Sequence, residues 1–93
     1  MSQDKSAVCP RARDDVVFRQ LDEEWVIFDP VADRLHALNL TAALVWAHCT
    51  GEFDASEMAA AVGGAFEPPV DGATVLPDVQ ATLTRFGDEG LLA

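Results

Sequence analysis

The stretch WVIFDPVADRLHALNLTAALVWAHCTG, residues 25–51, decides the fold of this chain. Its first half alternates apolar and polar side chains with the period of two that is typical of strands. Its second half repeats apolar side chains with the period of a helix. The change falls at Leu38 and Asn39. This switch predicts an exposed sheet edge beside a helix.

The first half of this stretch predicts two strands of an antiparallel meander. Residues 25–28 form one strand, and Asp29 with Pro30 ends it because proline has no N–H to give to a ladder. Residues 34–38 return as the next strand. Upstream, residues 16–21 are rich in β-branched and aromatic side chains and predict the first strand. The last strand of such a meander has an open edge.

A first helix is predicted directly after the strands. Asn39 is a candidate N-cap, because its side chain can accept a hydrogen bond from an N–H group two or three residues on. We expect Gly51 to end the helix as a left-handed cap. One apolar stripe follows the helical period and consists of Ala42, Val45, Trp46 and Cys49.

A second helix is predicted from a capping box, in which Asp54 and Glu57 satisfy each other's backbone N–H groups. Gly63 and Gly64 are expected to weaken its last turn. Residues 69–75 are expected to form a loop.

A third helix is predicted over residues 77–89. Pro77 suits the first helical position and Asp78 suits the positive end of the helix dipole. The helix is expected to end at Gly87 or Gly90, with the leucines that follow folding back on the core.

Strands followed by helices are typical of the α+β class. We therefore predict a winged-helix-like domain over residues 15–93, in which a three-stranded antiparallel meander is followed by three helices. Residues 1–14 are polar, mixed in charge and interrupted by Pro10, so we expect a flexible N-terminal arm.

Composition narrows the classes of function. Sixteen acidic side chains against six basic ones give a net charge of −10, which disfavours binding to nucleic acid. No window approaches the ~20 apolar residues of a membrane span, so no membrane partner is predicted. Cys9 and Cys49 have no CxxC partner and no apolar signal segment opens the chain. We expect a reducing, cytoplasmic setting.

The sequence offers no convincing catalytic set and predicts no enzyme. His48 and Cys49 are adjacent, so on one helix they point about 100° apart and cannot face each other as base and nucleophile. A zinc site would have to use Cys9, His36, His48 and Cys49, which lack the usual spacing of ligand pairs. We predict no metal and no cofactor.

Several short motifs occur in a specific order after the apolar hairpin: Leu38-Asn39, Ala42-Ala43, Gly51, Asp78-Val79 and Gly90-Leu91-Leu92. In this order and spacing, over residues 16–93, the chain resembles the PqqD-like proteins, also called recognition elements of ribosomally synthesised, modified peptides. The resemblance implies a domain that binds the leader segment of a precursor peptide and presents the core segment to a modifying enzyme. It implies that the domain itself performs no chemistry.

A peptide-binding site follows from this resemblance and from the open strand edge, to which an extended peptide can add by main-chain hydrogen bonds. The third helix would supply the opposite wall. Arg34 or Arg85 could pair with an acidic leader residue. The sequence does not decide which face of the strand the helices cover. The predicted edge residues are Arg34, Leu35, His36, Ala37 and Leu38, and the predicted wall residues are Val79, Thr82, Leu83, Arg85 and Phe86.

Alternatives remain at this point. The hairpin turn at residues 29–34 departs from the Tyr-Pro-Glu-Gly-like turn of the pyrroloquinoline-quinone members. The Leu-Asn pair and Trp46 are more similar to stand-alone relatives, including those encoded beside HPr-kinase-related proteins. A regulatory or scaffold module that docks such a partner protein without a leader peptide fits the same residues. A homodimer through the open edge fits as well.

Overall fold

Residues 9–93 are described by the structure, a computed structural model. Within these residues the chain forms three strands and then three helices. The strands are β1 (Val17–Leu21), β2 (Glu24–Asp29) and β3 (Arg34–Leu38), and the helices are α1 (Leu40–Ala47), α2 (Ala55–Gly64) and α3 (Gly72–Asp88). The predicted α+β order is confirmed. None of the helices in the described part of the chain is both long and apolar enough to cross a bilayer.

The three strands form one antiparallel sheet in the order β1-β2-β3. The side chain of Asp29 ends β2, because its Oδ1 accepts hydrogen bonds from the N–H groups of Val31 and Ala32 at 3.0 and 3.2 Å. All five residues of β1 are exposed. The first strand therefore projects beyond the helices as a wing, and β3 lies at the opposite edge of the sheet.

Strand parity, which the sequence left open, is settled by burial. Ile27, His36 and Leu38 are buried on the inner face of the sheet, where the helices pack, and Leu35 is exposed on the outer face. The helices therefore cover the face that carries His36 and Leu38.

The core lies between the inner face of the sheet and the three helices, and its aromatic centre is an edge-to-face pair of Trp46 and Phe86 with ring centroids 5.4 Å apart. Such a pair contributes about 0.5–1.5 kcal/mol beyond the area that it buries. The fully buried apolar side chains come from the sheet, from every helix and from the C-terminal segment: Ile27, Val45, Met58, Val62, Val79, Phe86 and Leu91.

Both predicted N-caps are confirmed. The side chain of Asn39 accepts a hydrogen bond from the N–H of Ala42 at 2.8 Å. Asp54 and Glu57 form the reciprocal capping box, with bonds of 2.8 and 2.9 Å. The predicted end of the first helix is wrong: α1 ends at Ala47, and Gly51 is left-handed but lies outside the helix.

The predicted start of the third helix is also wrong, together with the loop expected over residues 69–75. The helix begins at Gly72 with Asp71 as its N-cap, so Pro77 lies inside it. A proline there removes one helical hydrogen bond. The extra turn is held by packing, since Val75 is buried and Gly72 lies against the backbone of Ala60 in α2.

Helix α3 ends at Asp88, two residues before Gly90, which is one of the two glycines predicted to end it. The φ of Gly90 is +72°. The N–H of Leu91 bonds to the carbonyl of Phe86 at 2.9 Å, and the N–H of Gly90 bonds to the carbonyl of Gly87 at 3.1 Å. These two bonds define a Schellman motif. Leu91 is fully buried, as the prediction that the terminal leucines fold back requires.

The described part of the predicted flexible arm, residues 9–14, is attached to the domain. Ala12 and Arg13 donate backbone hydrogen bonds to Cys49 and Leu91 at 2.9 and 3.0 Å. The guanidinium of Arg13 also contacts Asp29 at 2.8 Å. These long-range contacts are invisible to a local sequence pattern. Residues 1–8 of the predicted arm lie outside the described residues.

Candidate functional site

The open edge of β3 presents main-chain groups on the side away from β2. The carbonyl of Ala37 accepts a hydrogen bond of 3.1 Å from Nη2 of Arg85, which belongs to α3 and not to the sheet. That carbonyl therefore points outward. Because outward and inward pairs alternate along an antiparallel ladder, Leu35 and Ala37 both direct their N–H and C=O groups to the open edge.

Helix α3 runs beside this edge and antiparallel to β3. Oε2 of Glu89 lies 3.3 Å from Nδ1 of His36, and its Oε1 accepts a hydrogen bond of 2.9 Å from Nε of Arg85. One turn earlier, Arg85 reaches Ala37. Strand and helix thus enclose a groove whose floor is the edge of β3 and whose wall is α3.

A cavity of about 310 Å³ lies at the other end of this groove. It is polar, because a carboxylate and hydroxyl groups line it beside the start of α1. Thr82 also donates its hydroxyl to the backbone carbonyl of Asp78 at 2.8 Å. The lining residues are Asn39, Thr41, Asp78, Ala81 and Thr82.

The wall consists of a polar stripe of α3. It includes two of the predicted wall residues, Thr82 and Arg85, but not the predicted apolar ones. Asp78, Thr82, Arg85 and Glu89 follow the helical spacing i, i+4, i+7 and i+11 and face the groove or its cavity. Residues with this spacing share one face of a helix. Three residues of this polar stripe, Asp78, Thr82 and Arg85, each directly precede a residue of the apolar stripe at positions 79, 83 and 86.

Two predicted wall residues are therefore corrected. Val79 and Phe86 are 0% exposed and belong to the core. They cannot line a groove because the stripe at Val79, Leu83 and Phe86 faces the other helices. Leu83 is half-buried against that core.

The other predicted site residues lie near the groove. Arg34, Leu35, Ala37 and Arg85 are exposed, and Thr82 is half-buried. The side chains of His36 and Leu38 are buried on the inner face, so only their backbone belongs to the edge. Whether these residues bind a peptide stays a prediction.

Sequence reasoning missed four residues that shape the groove. Asp78, Glu89, Asn39 and Thr41 line it or hold its side chains. The polar spacing along α3 was a usable signal for the first two. Asn39 and Thr41 had no such signal, because their proximity to α3 depends on tertiary packing.

An apolar row crosses the outer face of the sheet and ends at the open edge. Val17 pairs with Phe28, and Phe28 pairs with Leu35, so the three side chains are neighbours on one face. Their exposed fractions are 39%, 37% and 64%. Leu35, at the edge, is the most exposed of the three.

The candidates for chemistry are held in structural roles. Nδ1 of His48 lies 2.8 Å from the carbonyl of Leu44, and its ring contacts Phe53 edge-on at 5.2 Å. Burial raises the pKa of the Cys49 thiol to about 12, so the thiol stays protonated and is a poor nucleophile. Within residues 9–93, no three His, Cys, Asp or Glu side chains are grouped so that they could hold a metal ion. The groove thus offers backbone groups and a few charges.

Comparison with known protein families agrees with this geometry. The model of the family "Coenzyme PQQ synthesis protein D (PqqD)" matches residues 24–92, which include β2, β3 and all three helices. The chain belongs to the PqqD family. The resemblance found in the sequence is confirmed, and the groove between β3 and α3 lies inside the matched region.

Two solved structures share the PqqD-like fold of this chain. One is TbiB1 in complex with the TbiA(beta) leader peptide, with a TM-score of 0.72 and 22% identity over 88% of this chain and 93% of that chain. The other is lasso peptide synthetase B1 complexed with the leader peptide, with a TM-score of 0.74 and 22% identity over 91% of this chain and 98% of that one. A search of curated protein sequences finds no match.

Proposed function

We propose that this PqqD-family protein is a non-catalytic peptide chaperone. It binds the leader segment of a ribosomally made precursor peptide as an added strand on β3 and presents the precursor to a modifying enzyme in the cytoplasm. The observation that carries the proposal is the edge itself, where Leu35 and Ala37 direct main-chain groups into a groove walled by α3. Two solved structures with the same fold contain leader peptides, which supports the proposal.

The non-catalytic role is supported by the placement of reactive groups. The neutral thiol of Cys49 is buried and donates to the carbonyl of Val45. His48 shares a hydrogen bond with the backbone of its own helix. Neither side chain points into the groove, where the charged groups are Arg85, Glu89 and Asp78.

The energetics predict moderate affinity. Leu35 and Ala37 offer four main-chain groups, each worth about 0.5–1.5 kcal/mol net. Ordering a disordered leader costs about 2–5 kcal/mol, so the two contributions nearly cancel. Micromolar binding needs about −8 kcal/mol. Side-chain contacts in the groove and on the apolar row must therefore supply most of the net affinity.

An amide NMR titration tests this function. The probe is the N-terminal segment of a short precursor peptide encoded beside this chain, and a scrambled peptide of the same composition is the control. We expect shifts at Arg34–Leu38 and along the polar stripe of α3, and none in β1. A folded protein that shows no shift, or shifts spread over surfaces away from β3, would contradict the proposal and favour the docking of a partner protein.

A further inference from the structure

We infer that the groove selects an extended peptide with an acidic side chain three residues before an apolar one. This inference rests on the proposed function and adds the chemistry of the preferred ligand. It follows from three features: the direction of side chains on an added strand, the apolar row that ends at Leu35, and the position of Arg85.

The direction of the side chains is fixed by strand geometry. A strand added to β3 in the antiparallel sense continues the sheet, and antiparallel pairing is slightly the more stable kind. Residues directly opposite each other share a face. A peptide residue opposite Leu35 therefore points to the outer face, and one opposite Leu38 points to the inner face, toward α3.

The outer position favours an apolar side chain. Val17, Phe28 and Leu35 form a row across the three strands, and the open edge leaves one side of Leu35 uncovered. The residue opposite Leu35 becomes the fourth member of this row. An apolar side chain there covers Leu35 and removes both surfaces from water, which a polar one cannot do as well.

The inner position opposite Leu38 favours a carboxylate because of Arg85. The added strand donates its own N–H to the carbonyl of Ala37, which in the free protein accepts from Nη2 of Arg85. Because a carbonyl oxygen has two lone pairs, it can accept from both donors, and the guanidinium of Arg85 stays beside the neighbouring Leu38. The Arg85 side chain is 42% exposed, and within the described residues its hydrogen bonds go only to Ala37 and Glu89. A guanidinium has five N–H donors, so several remain for an incoming carboxylate.

The neighbouring inner position, opposite His36, lacks this preference. Oε2 of Glu89 lies 3.3 Å from Nδ1 of His36, so a second carboxylate there meets a like charge. The whole chain carries a net charge of −10. Arg85 therefore offers a local attraction on a protein that otherwise repels acidic peptides.

The spacing follows from the strand. Leu35 and Leu38 are three residues apart, and an antiparallel partner runs in the opposite direction. The acidic residue opposite Leu38 thus precedes the apolar residue opposite Leu35 by three positions. The preferred pattern is acidic, any, any, apolar.

A displayed library of random twelve-residue peptides tests this pattern, and it does not require that a precursor be identified. The library is selected on the wild-type protein, on Arg85→Met and on Arg19→Met. Arg19 is the matched control, because it is an exposed arginine of β1, the strand at the opposite edge of the sheet from β3. Circular dichroism checks that each variant is folded.

We expect peptides selected on the wild type and on Arg19→Met to carry Asp or Glu three positions before an apolar residue. Selection on Arg85→Met should keep the apolar preference and lose the acidic one. For one selected peptide, changing its Glu to Gln should weaken binding to the wild type about 2- to 5-fold, measured by fluorescence anisotropy. The same change should leave binding to Arg85→Met unaltered.

Two results separate failure of the inference from failure of the function. Peptides that bind with no acidic preference, or with a preference that Arg85→Met retains, overturn the inference and leave edge-strand binding standing. A selection that enriches no peptide on the folded wild type overturns both. The reverse order, apolar before acidic, also contradicts the inference because it requires a parallel strand.

Discussion

Substitution of Gly63 by alanine tests how closely the segment before α3 packs on α2. A Cβ at this position would lie 2.2 Å from the carbonyl oxygen of Val70, where an ordinary C···O contact is about 3.3–3.6 Å. The obstacle is backbone and cannot rotate away. The carbonyl of Gly63 also accepts a hydrogen bond of 2.9 Å from the N–H of Val70. A shift of Val70 that makes room for the new Cβ would strain this hydrogen bond.

The expected loss follows from opposing terms. Overpacking costs about 1–3 kcal/mol and a weakened hydrogen bond about 0.5–1.5 kcal/mol. Alanine recovers up to about 1 kcal/mol of helix propensity. We expect Gly63→Ala to lower the free energy of unfolding by about 1–3 kcal/mol, which lowers Tm by roughly 4 °C or more in a domain of this size.

Gly64→Ala is the matched control, since nothing lies within 4 Å of a Cβ at that position. It is expected to stabilise the protein by up to about 1 kcal/mol. Urea and thermal unfolding followed by circular dichroism measure both variants. If Gly63→Ala is as stable as Gly64→Ala, the close approach of Val70 to α2 is refuted.

Three further predictions concern the cap, the ion pair and the buried thiol. Asn39→Ala should destabilise the protein by about 0.5–2 kcal/mol in urea unfolding, because the N–H of Ala42 loses its partner; an unchanged midpoint would contradict the cap. Arg13 lowers the pKa of Asp29 below 3.8. The ionised carboxylate of Asp29 therefore contributes its full share of folding stability above that value, and this contribution is lost as pH falls through the lowered pKa. The stability gap between wild type and Asp29→Asn should therefore narrow below pH 3.8, and a constant gap would argue against the ion pair. Burial raises the pKa of Cys49 to about 12, so iodoacetamide at about pH 8 should alkylate it only after unfolding, as read by mass spectrometry; rapid labelling of the native protein would refute this.

The parts of the fold that the sequence predicted depend on contacts close along the chain. Asn39 and Asp54 cap their helices through N–H groups three residues away. The alternation of polar and apolar residues on both sides of Asp29 predicted the two strands of the hairpin. The start of α3 was missed because Pro77 is a strong local signal for a first helical position. The preceding turn is stabilised by packing of Gly72 on Ala60, which no local pattern contains.

The candidate site was predicted in part for the same reason. The open edge of β3 follows from strand order, and its limits at Arg34 and Leu38 were predicted correctly. The apolar part of the wall was misassigned, because an apolar stripe indicates burial without distinguishing a groove from the core. Only the packed structure separates Phe86, which is in the core, from Arg85, which reaches the edge.

Amide hydrogen exchange at the edge of β3 tests the central claim most directly. The amides of Leu35 and Ala37 point away from β2, whereas that of His36 points toward Ile27 in the ladder and serves as an internal control. In the free protein, Leu35 and Ala37 should exchange faster than His36. A bound leader peptide should slow both of them and leave His36 unchanged. A peptide that binds without protecting the Leu35 and Ala37 amides would contradict strand addition at this edge.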